Sequence, residues 1–119
     1  MSESYGPLER IRKKKDFAGL YESGGCYRGK FFNLIFRPNG LDFSRMSAVA
    51  SRKVGDAVRR NKARRRAREL FRRNKALLTI PMDILVIAKA RANGAAFGEL
   101  REQYQAALLY AARCRPLSD

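Results

Sequence analysis

The stretch SRKVGDAVRRNKARRRARELFRRNK, residues 51–75, carries most of the chain's charge and predicts the helix around which the fold is organised. Within it, twelve Lys and Arg residues stand against two acidic residues, so it supplies about two-thirds of the net charge of +15. From Ala57 onward it lacks Gly and Pro and is rich in good helix formers. These features predict a helix from about residue 56 to about residue 73.

The apolar residues of this segment fall three to four positions apart, which predicts a narrow buried stripe on a cationic helix. The expected stripe consists of Val58, Ala63, Ala67, Leu70 and Phe71. Like charges at the same spacing repel one another, as in Arg60/Arg64 and Arg64/Arg68. A polyanion would relieve that repulsion, so one side of the helix is expected to dock and the other to face a partner.

The composition narrows the class of partner. A chain of 119 residues with 45% hydrophobic residues is expected to form one domain, residues 1–119, with residues 1–9 as a flexible arm. The charge favours a nucleic acid over a membrane, because the basic helix has no broad apolar face. Neither a hydrophobic signal core nor a run long enough to span a bilayer occurs, which predicts a cytoplasmic protein.

Catalysis by the chain itself is disfavoured. The sequence contains no histidine and no glycine-rich phosphate loop, and its carboxylates are dispersed without the pairing of a two-metal nuclease. Cys26 and Cys114 lack metal-ligand spacing and are interpreted as reduced thiols. We expect no catalytic residue and no strongly bound metal in this chain.

The other segments predict an α+β fold of order α-β-β-β-α-β-α, a two-layer sandwich with helices packed on a four-stranded mixed sheet. The strands flanking the Asn39-Gly40 turn are expected to run antiparallel, and the continuously apolar run at residues 84–88 predicts a central strand. The expected elements are helices at about residues 14–23, 56–73 and 97–113, and strands at about 27–29, 31–37, 45–51 and 82–90.

A second basic cluster precedes the first helix, which carries aromatic side chains on one face. Phe17 and Tyr21 are one helical turn apart and follow Lys14 and Lys15. Aromatic residues beside such a cluster are typical of surfaces that stack the bases of a single strand. An ordinary core face is the alternative, and both interpretations stay open at this point.

Several pieces of the sequence together resemble the bacterial ribonuclease P protein subunit, over about residues 10–113. They occur in the order of that family: Lys13 to Phe17 at the first helix, Tyr27-Arg28-Gly29, the lead-in SRKVGxAV at residues 51–58, and Arg60-Asn61-Lys62 followed by Arg64, Arg65 and Arg68.

The resemblance implies a protein cofactor that binds a catalytic RNA subunit and precursor tRNA, and promotes removal of the tRNA 5′ leader. Mg²⁺ held mainly by the RNA subunit would perform the chemistry, with no obligate protein partner and no membrane. The crossover through the basic helix would be left-handed. The implied RNA-subunit contacts are Arg52, Lys53, Arg59, Arg60, Asn61, Lys62, Arg64, Arg65 and Arg68. The implied leader contacts are Phe17, Tyr21, Asn33, Ile35, Lys14 and Lys15.

The chain departs from the family pattern on the basic helix. Lys62 stands where Arg is usual, which keeps the charge but loses the bidentate fork of guanidinium. Ala63, Arg66 and Ala67 replace bulkier aliphatic residues. We therefore expect weaker docking of this helix and a stability that rises on adding RNA or salt.

Three other classes of function are alternatives. A ribosomal or RNA-chaperone protein would share the charge and the helix but would not confer cleavage of precursor tRNA. A DNA-binding basic region would need leucine heptads after Phe71, and none follow. A protein-only nuclease would need clustered carboxylates or a histidine.

Overall fold

Three helices and four strands follow one another in the order predicted from the sequence, α-β-β-β-α-β-α. The computed structural model describes residues 7–114. The helices are α1 (Lys14–Ser23), α2 (Ala57–Asn74) and α3 (Phe97–Arg113), and the strands are β1 (Gly25–Arg28), β2 (Phe32–Pro38), β3 (Arg45–Ala50) and β4 (Met82–Ala88). Short 3₁₀ helices lie at Pro7–Glu9, Arg52–Val54, Lys75–Leu77 and Ala90–Gly94.

The N-terminal segment preceding α1 contacts the rest of the domain. Of the predicted flexible arm, residues 1–6 lie outside the described range, whereas Pro7–Glu9 forms a 3₁₀ helix. The Glu9 carboxylate forms an ion pair with Lys75, which lies just beyond the end of α2. The Lys75 ammonium donates to Glu9 Oε2 at 2.5 Å. The backbone N–H of Ile11 donates to the carbonyl of Met46 at 3.2 Å, which joins this segment to β3.

β4 lies inside the sheet, whose strand order is β1-β2-β4-β3. It pairs antiparallel with β2 and parallel with β3, so that Val86 is opposite both Leu34 and Ala48. Ile84, Leu85 and Val86 have no exposed surface. The central position predicted from the apolar run is therefore confirmed.

β2 and β3 run in opposite directions, as predicted, but they are not neighbours. The Asn39-Gly40 turn is present, with Gly40 at a φ of 70°, yet β4 lies between the two strands and pairs with both. β4 is apolar on both faces and gains most burial between two partners. β3 exposes Val49 on one face and leaves Ser47 half-buried, which suits an edge position.

The larger core lies between the sheet and helices α2 and α3. Alternation along β2 turns Phe32, Leu34 and Phe36 toward these helices. The ring of Phe32 meets that of Tyr104 edge-on, with centroids 6.0 Å apart. Phe71 of α2 is fully buried in the same cluster.

α1 covers the opposite face of the sheet, over a smaller apolar cluster. Leu20 of α1 and Leu85 of β4 are fully buried there, and Ile11 is nearly so. Phe17 and Ile35 are partly buried against them. Helices therefore cover both faces, and α1 forms a third, smaller layer beyond the two that the sequence predicted. The reason is that β4 is apolar on this face also and needs cover.

α2 begins after Asp56, whose carboxylate accepts the backbone N–H of Arg59 at 3.0 Å and caps the helix. The buried stripe is confirmed at Ala63, Ala67, Leu70 and Phe71. The prediction that Val58 begins this stripe is wrong, because its side chain is 75% exposed. Val58 precedes Ala63 by five residues, which places it about 140° away around the helix.

Gln103→Leu is expected to lower the free energy of unfolding by about 2 kcal/mol. The side-chain carbonyl of Gln103 accepts the backbone N–H of Phe31 at 2.7 Å and that of Phe32 at 2.9 Å, and leucine would leave both without this acceptor. Urea denaturation measures the change. Glu102→Leu, at an exposed position of the same helix, is the control and should shift the free energy by less than about 0.5 kcal/mol. Equal losses for the two variants would contradict the role of these hydrogen bonds.

Candidate nucleic-acid interface

The residues predicted to contact an RNA subunit are gathered on α2 and on the 3₁₀ turn before it. Six of them are exposed: Arg52, Lys53, Arg59, Asn61, Lys62 and Arg65. The other three, Arg60, Arg64 and Arg68, are half-buried. Within residues 7–114, none of the cations in this set takes part in an ion pair. The surface therefore carries a row of positive charge that the described protein leaves uncompensated.

The half-buried arginines of α2 differ in what they contact. Arg60 lies beside the buried stripe, where its Nε is buried and meets no hydrogen-bond partner in the described chain. Arg64 donates to the side-chain oxygen of Asn61, so Asn61 orients an arginine as well as lying on the predicted surface. Arg66 donates to the carbonyl of Ala95 at 3.1 Å and is thereby directed toward the protein.

Among residues 7–114, the carboxylate that pairs with arginines of α2 is Glu69, which lies near the C-terminal end of the helix. Glu69 lies 2.6 Å from Arg72 and 2.5 Å from Arg73, counted between the paired N and O atoms. Hydrogen bonds from Arg72, and then from Arg73, lower the pKa of Glu69 to about 2. Glu69 thus offsets part of the positive charge at the C-terminal end of α2, whereas the rest of the helix is strongly cationic.

A cleft margin lies where α1 meets β2. Phe17 and Ile35 belong to the same small cluster, so the structure brings these two predicted residues together. Tyr21, one turn further along α1, is 62% exposed. Asn33 lies two residues before Ile35 on the same face of β2, and its side-chain oxygen is buried without a hydrogen-bond partner in the described chain. These residues form a surface that is apolar at its base and open at its rim.

The two lysines predicted beside this cleft are both exposed at the start of α1 but point in different directions. Helical spacing places Lys14 on the face of Phe17 and Tyr21, and places Lys15 on the face of Ala18. Lys14 is therefore aligned with the cleft, whereas Lys15 is not.

Basic residues that sequence reasoning missed gather at one end of the sheet. Arg28 ends β1, Lys30 follows it, and Lys89 follows β4. The Lys89 ammonium donates to the carbonyl of Gly29 at 2.8 Å, and the Lys30 ammonium lies 5.3 Å from the centroid of the Phe31 ring. These residues are dispersed along the chain and come together only through strand pairing, so no local run signals them.

The described residues contain neither a group placed to bind a metal nor a helix able to span a membrane. Between Pro7 and Cys114, no group of three or more carboxylate, thiol or imidazole side chains is placed to hold a metal ion. None of the helices in this range has the length and apolar character required to cross a bilayer.

The sequence is similar to a known protein family and to several of its members. The family model for ribonuclease P matches residues 6–112. A ribonuclease P protein component from Thermotoga maritima is 43% identical over 91 residues, 76% of this chain and 78% of the relative. One from Syntrophus aciditrophicus is 35% identical over 92 residues, 77% of each chain.

Solved structures show the same fold. The ribonuclease P protein from Thermotoga maritima aligns with a TM-score of 0.77 at 37% identity, covering 86% of this chain and 96% of that one. The Staphylococcus aureus protein gives a TM-score of 0.75 at 30% identity, covering 88% and 95% of the two chains. The predicted fold class, three helices with a four-stranded mixed sheet, is confirmed.

The fold and these relatives define the chain as a small basic α+β protein of a tRNA-processing ribonucleoprotein. It belongs to the bacterial ribonuclease P protein family. The resemblance inferred from its sequence motifs is thereby confirmed, and the chain is assigned to an endoribonuclease complex.

Replacing Glu69 is expected to destabilise the protein in a pH-dependent way. The folded-state pKa of about 2 lies below the ordinary value of 4.5, so the carboxylate contributes stability above pH 4.5 that is lost as the pH falls through 2. Thermal unfolding of Glu69→Gln should therefore differ most from the unmodified protein near neutral pH, and the difference should vanish between about pH 4.5 and 2. Glu102→Gln, at an exposed position of α3, is the control and should have a Tm close to that of the unmodified protein at neutral pH. A difference in Tm that is constant from pH 7 to 2 would contradict the assignment.

Proposed function

We propose that this chain is the protein cofactor of ribonuclease P, acting in the cytoplasm. It binds the catalytic RNA subunit through α2 and the single-stranded 5′ leader of precursor tRNA through the cleft between α1 and the sheet. By holding both RNAs it promotes removal of the leader and formation of the mature 5′ end of tRNA. Cys26 and Cys114 are free thiols, which agrees with a reducing compartment.

The observation that carries this proposal is the uncompensated row of cations on α2. Lys and Arg residues that neutralise phosphates release condensed counterions, and this release drives binding to RNA. The row continues into the 3₁₀ turn at Arg52–Val54, so the surface is longer than the helix alone. Asn61 and the guanidinium of Arg64 are already hydrogen-bonded to each other, which reduces the ordering that binding requires.

The cleft supports the second half of the proposal. Phe17 offers a ring that is partly buried against the small apolar cluster, and Tyr21 offers a mostly exposed ring on the same helix face. Unpaired bases stack on such rings with little dependence on base identity. Lys14 lies on this face of α1 and is placed for a phosphate of the same strand. These features favour a single-stranded leader over a duplex, whose bases are already paired and stacked.

The catalytic chemistry is assigned to Mg²⁺ ions held mainly by the RNA subunit. Four carboxylates of the described chain are engaged with basic side chains: Asp16 and Asp83 with Arg45, Glu69 with Arg72 and Arg73, and Glu9 with Lys75. The role of this chain is to reduce repulsion between the two RNAs and to order the leader. No catalytic residue is assigned to it.

The test of the whole proposal is cleavage of a leader-bearing precursor tRNA at low, near-physiological Mg²⁺. The chain alone, the RNA subunit alone and the mixture are compared, and cleavage at the mature 5′ end should require the RNA and be strongest in the mixture. If the mixture cleaves no better than RNA alone while the chain still binds RNA tightly, the ribosomal or RNA-chaperone alternative takes over. Cleavage by the chain alone would indicate a protein nuclease.

Phe17→Ala is expected to weaken binding of leader-bearing precursor tRNA to the assembled enzyme by about tenfold, since stacking on one ring is worth about 1–3 kcal/mol per base. Binding of mature tRNA should not change. Fluorescence titration of the two substrates measures the effect. Phe43→Ala, which removes a 38% exposed ring outside the cleft, is the matched control and should affect neither substrate. Equal losses for precursor and mature tRNA would exclude the cleft.

Arg65→Ala is expected to reduce the salt dependence of binding to the RNA subunit. One lost phosphate contact lowers the slope of log K against log salt by about one unit. Titrations between about 50 and 200 mM salt measure the slope. Arg113→Ala removes an exposed arginine at the far end of α3 and should leave the slope unchanged. Identical slopes for Arg65→Ala and the unmodified chain would show that Arg65 makes no phosphate contact with the RNA subunit.

A further inference from the structure

α1 is held on the sheet by few apolar contacts. Leu20 is its only fully buried residue, and a helix of ten residues is too short to be stable alone in water. Lys13 precedes the helix without providing a side-chain cap. The position of α1, and of the cleft residues it carries, must therefore depend on contacts other than the small core.

A forked arginine from β3 supplies such a contact. The Arg45 guanidinium donates to both oxygens of Asp83, through Nε at 2.8 Å and Nη2 at 2.6 Å. Its Nη2 also lies 3.5 Å from the carboxylate of Asp16 in the first turn of α1. Asp83 is only 1% exposed, so its buried carboxylate fixes the position of the Arg45 guanidinium beside α1.

Other groups lock the arginine in place. The side-chain amide of Asn39 donates to Asp83 Oδ1 at 2.9 Å, which completes the hydrogen bonding of the buried carboxylate. The hydrogen bond to Asp83 raises the pKa of Arg45 above its ordinary value, so the charge is permanent. Asp83 and Asn39 thus make the guanidinium a rigid support.

The helix face that meets this support also orients the cleft residues. Asp16 lies four residues before Leu20, so both point toward the sheet, and Phe17 is its direct neighbour on the cleft side. On the other flank Gly19 lies against the guanidinium of Arg37, where a Cβ atom would come within 2.3 Å of Nη1. The helix is therefore held at its start by Asp16, and at Gly19 it lies against the flexible end of the Arg37 side chain.

We propose that Asp16 and Arg45 are positioning residues for the leader site: their ion pair sets the placement of α1 and hence of Phe17 over the cleft. This inference rests on the proposed function. Neither residue needs to touch RNA. Breaking the pair leaves the cationic row on α2 intact and loosens only the α1 side of the cleft.

The effect is expected to be moderate and specific. The two side chains are 16% and 19% exposed, and pairs of this kind contribute less than a fully buried one. Asp16→Ala should reduce the preference of the assembled enzyme for precursor over mature tRNA by about threefold, which corresponds to less than 1 kcal/mol. Glu22→Ala is the matched control, because it removes a carboxylate from the exposed side of the same helix and also introduces alanine, the best helix former.

A double-mutant cycle separates positioning from a general loss of stability. If Asp16 acts through Phe17, then Asp16→Ala causes no further loss of precursor preference in a Phe17→Ala background. Arg45→Lys tests the same pair from the other side. Lysine keeps a charge beside Asp83 but lacks the fork that reaches both carboxylates, so it should reproduce the loss caused by Asp16→Ala while the chain stays folded by circular dichroism.

The outcomes distinguish this inference from the proposed function. Loss of preference in Asp16→Ala and Arg45→Lys, with Glu22→Ala unchanged and the cycle non-additive, supports the positioning role. An additive cycle, or an equal loss in Glu22→Ala, overturns it. If Phe17→Ala lowers the preference while Asp16→Ala and Arg45→Lys do not, only the positioning role fails. If Phe17→Ala itself has no effect, the leader cleft fails and this inference fails with it.

Discussion

The burial of β4 on both of its faces is the constraint on which the rest of the structure depends. Ile84 and Val86 face one side of the sheet and Leu85 and Ile87 the other, so each side needs helical cover. Two long helices close one side, whereas a single short helix covers the other. This inequality leaves Ile35 partly exposed beside α1. The surface that carries Phe17 and Tyr21 stays open because the second side is incompletely covered.

The basic helix α2 packs on the sheet through a narrow apolar stripe, while repulsion among its cations opposes its stability. Ala63 and Ala67 let it lie close to the sheet but bury little apolar surface, and Leu70 and Phe71 anchor its C-terminal half. Glu69 relieves repulsion in that same half. The N-terminal half, beyond its Asp56 cap, has weaker anchoring and carries cations that form no ion pair within the described residues. An anionic partner would therefore stabilise the part of α2 that the protein stabilises least.

Local patterns predicted the helices well, because α1 and α3 are limited by nearby residues such as Gly24 and their stripes are regular. The central place of β4 followed from its apolar run. The pairing of β3 with β4 could not be predicted, since it joins strands separated by the whole of α2. For the candidate site, charge density revealed the cations of α2. The Arg45, Asp83 and Asp16 contacts link three elements, and no local pattern signals them.

The parallel pairing of β3 with β4 has a consequence for how the chain reaches its native state. Parallel strands cannot be joined by a tight turn, so closing this part of the sheet waits until α2 has been placed. Contacts so distant in sequence slow folding, and the intervening helix is self-repelling. Counterions that collect on α2 would lower this kinetic barrier. An anionic partner that binds α2 would then act on the folding rate of the protein as well as on its stability.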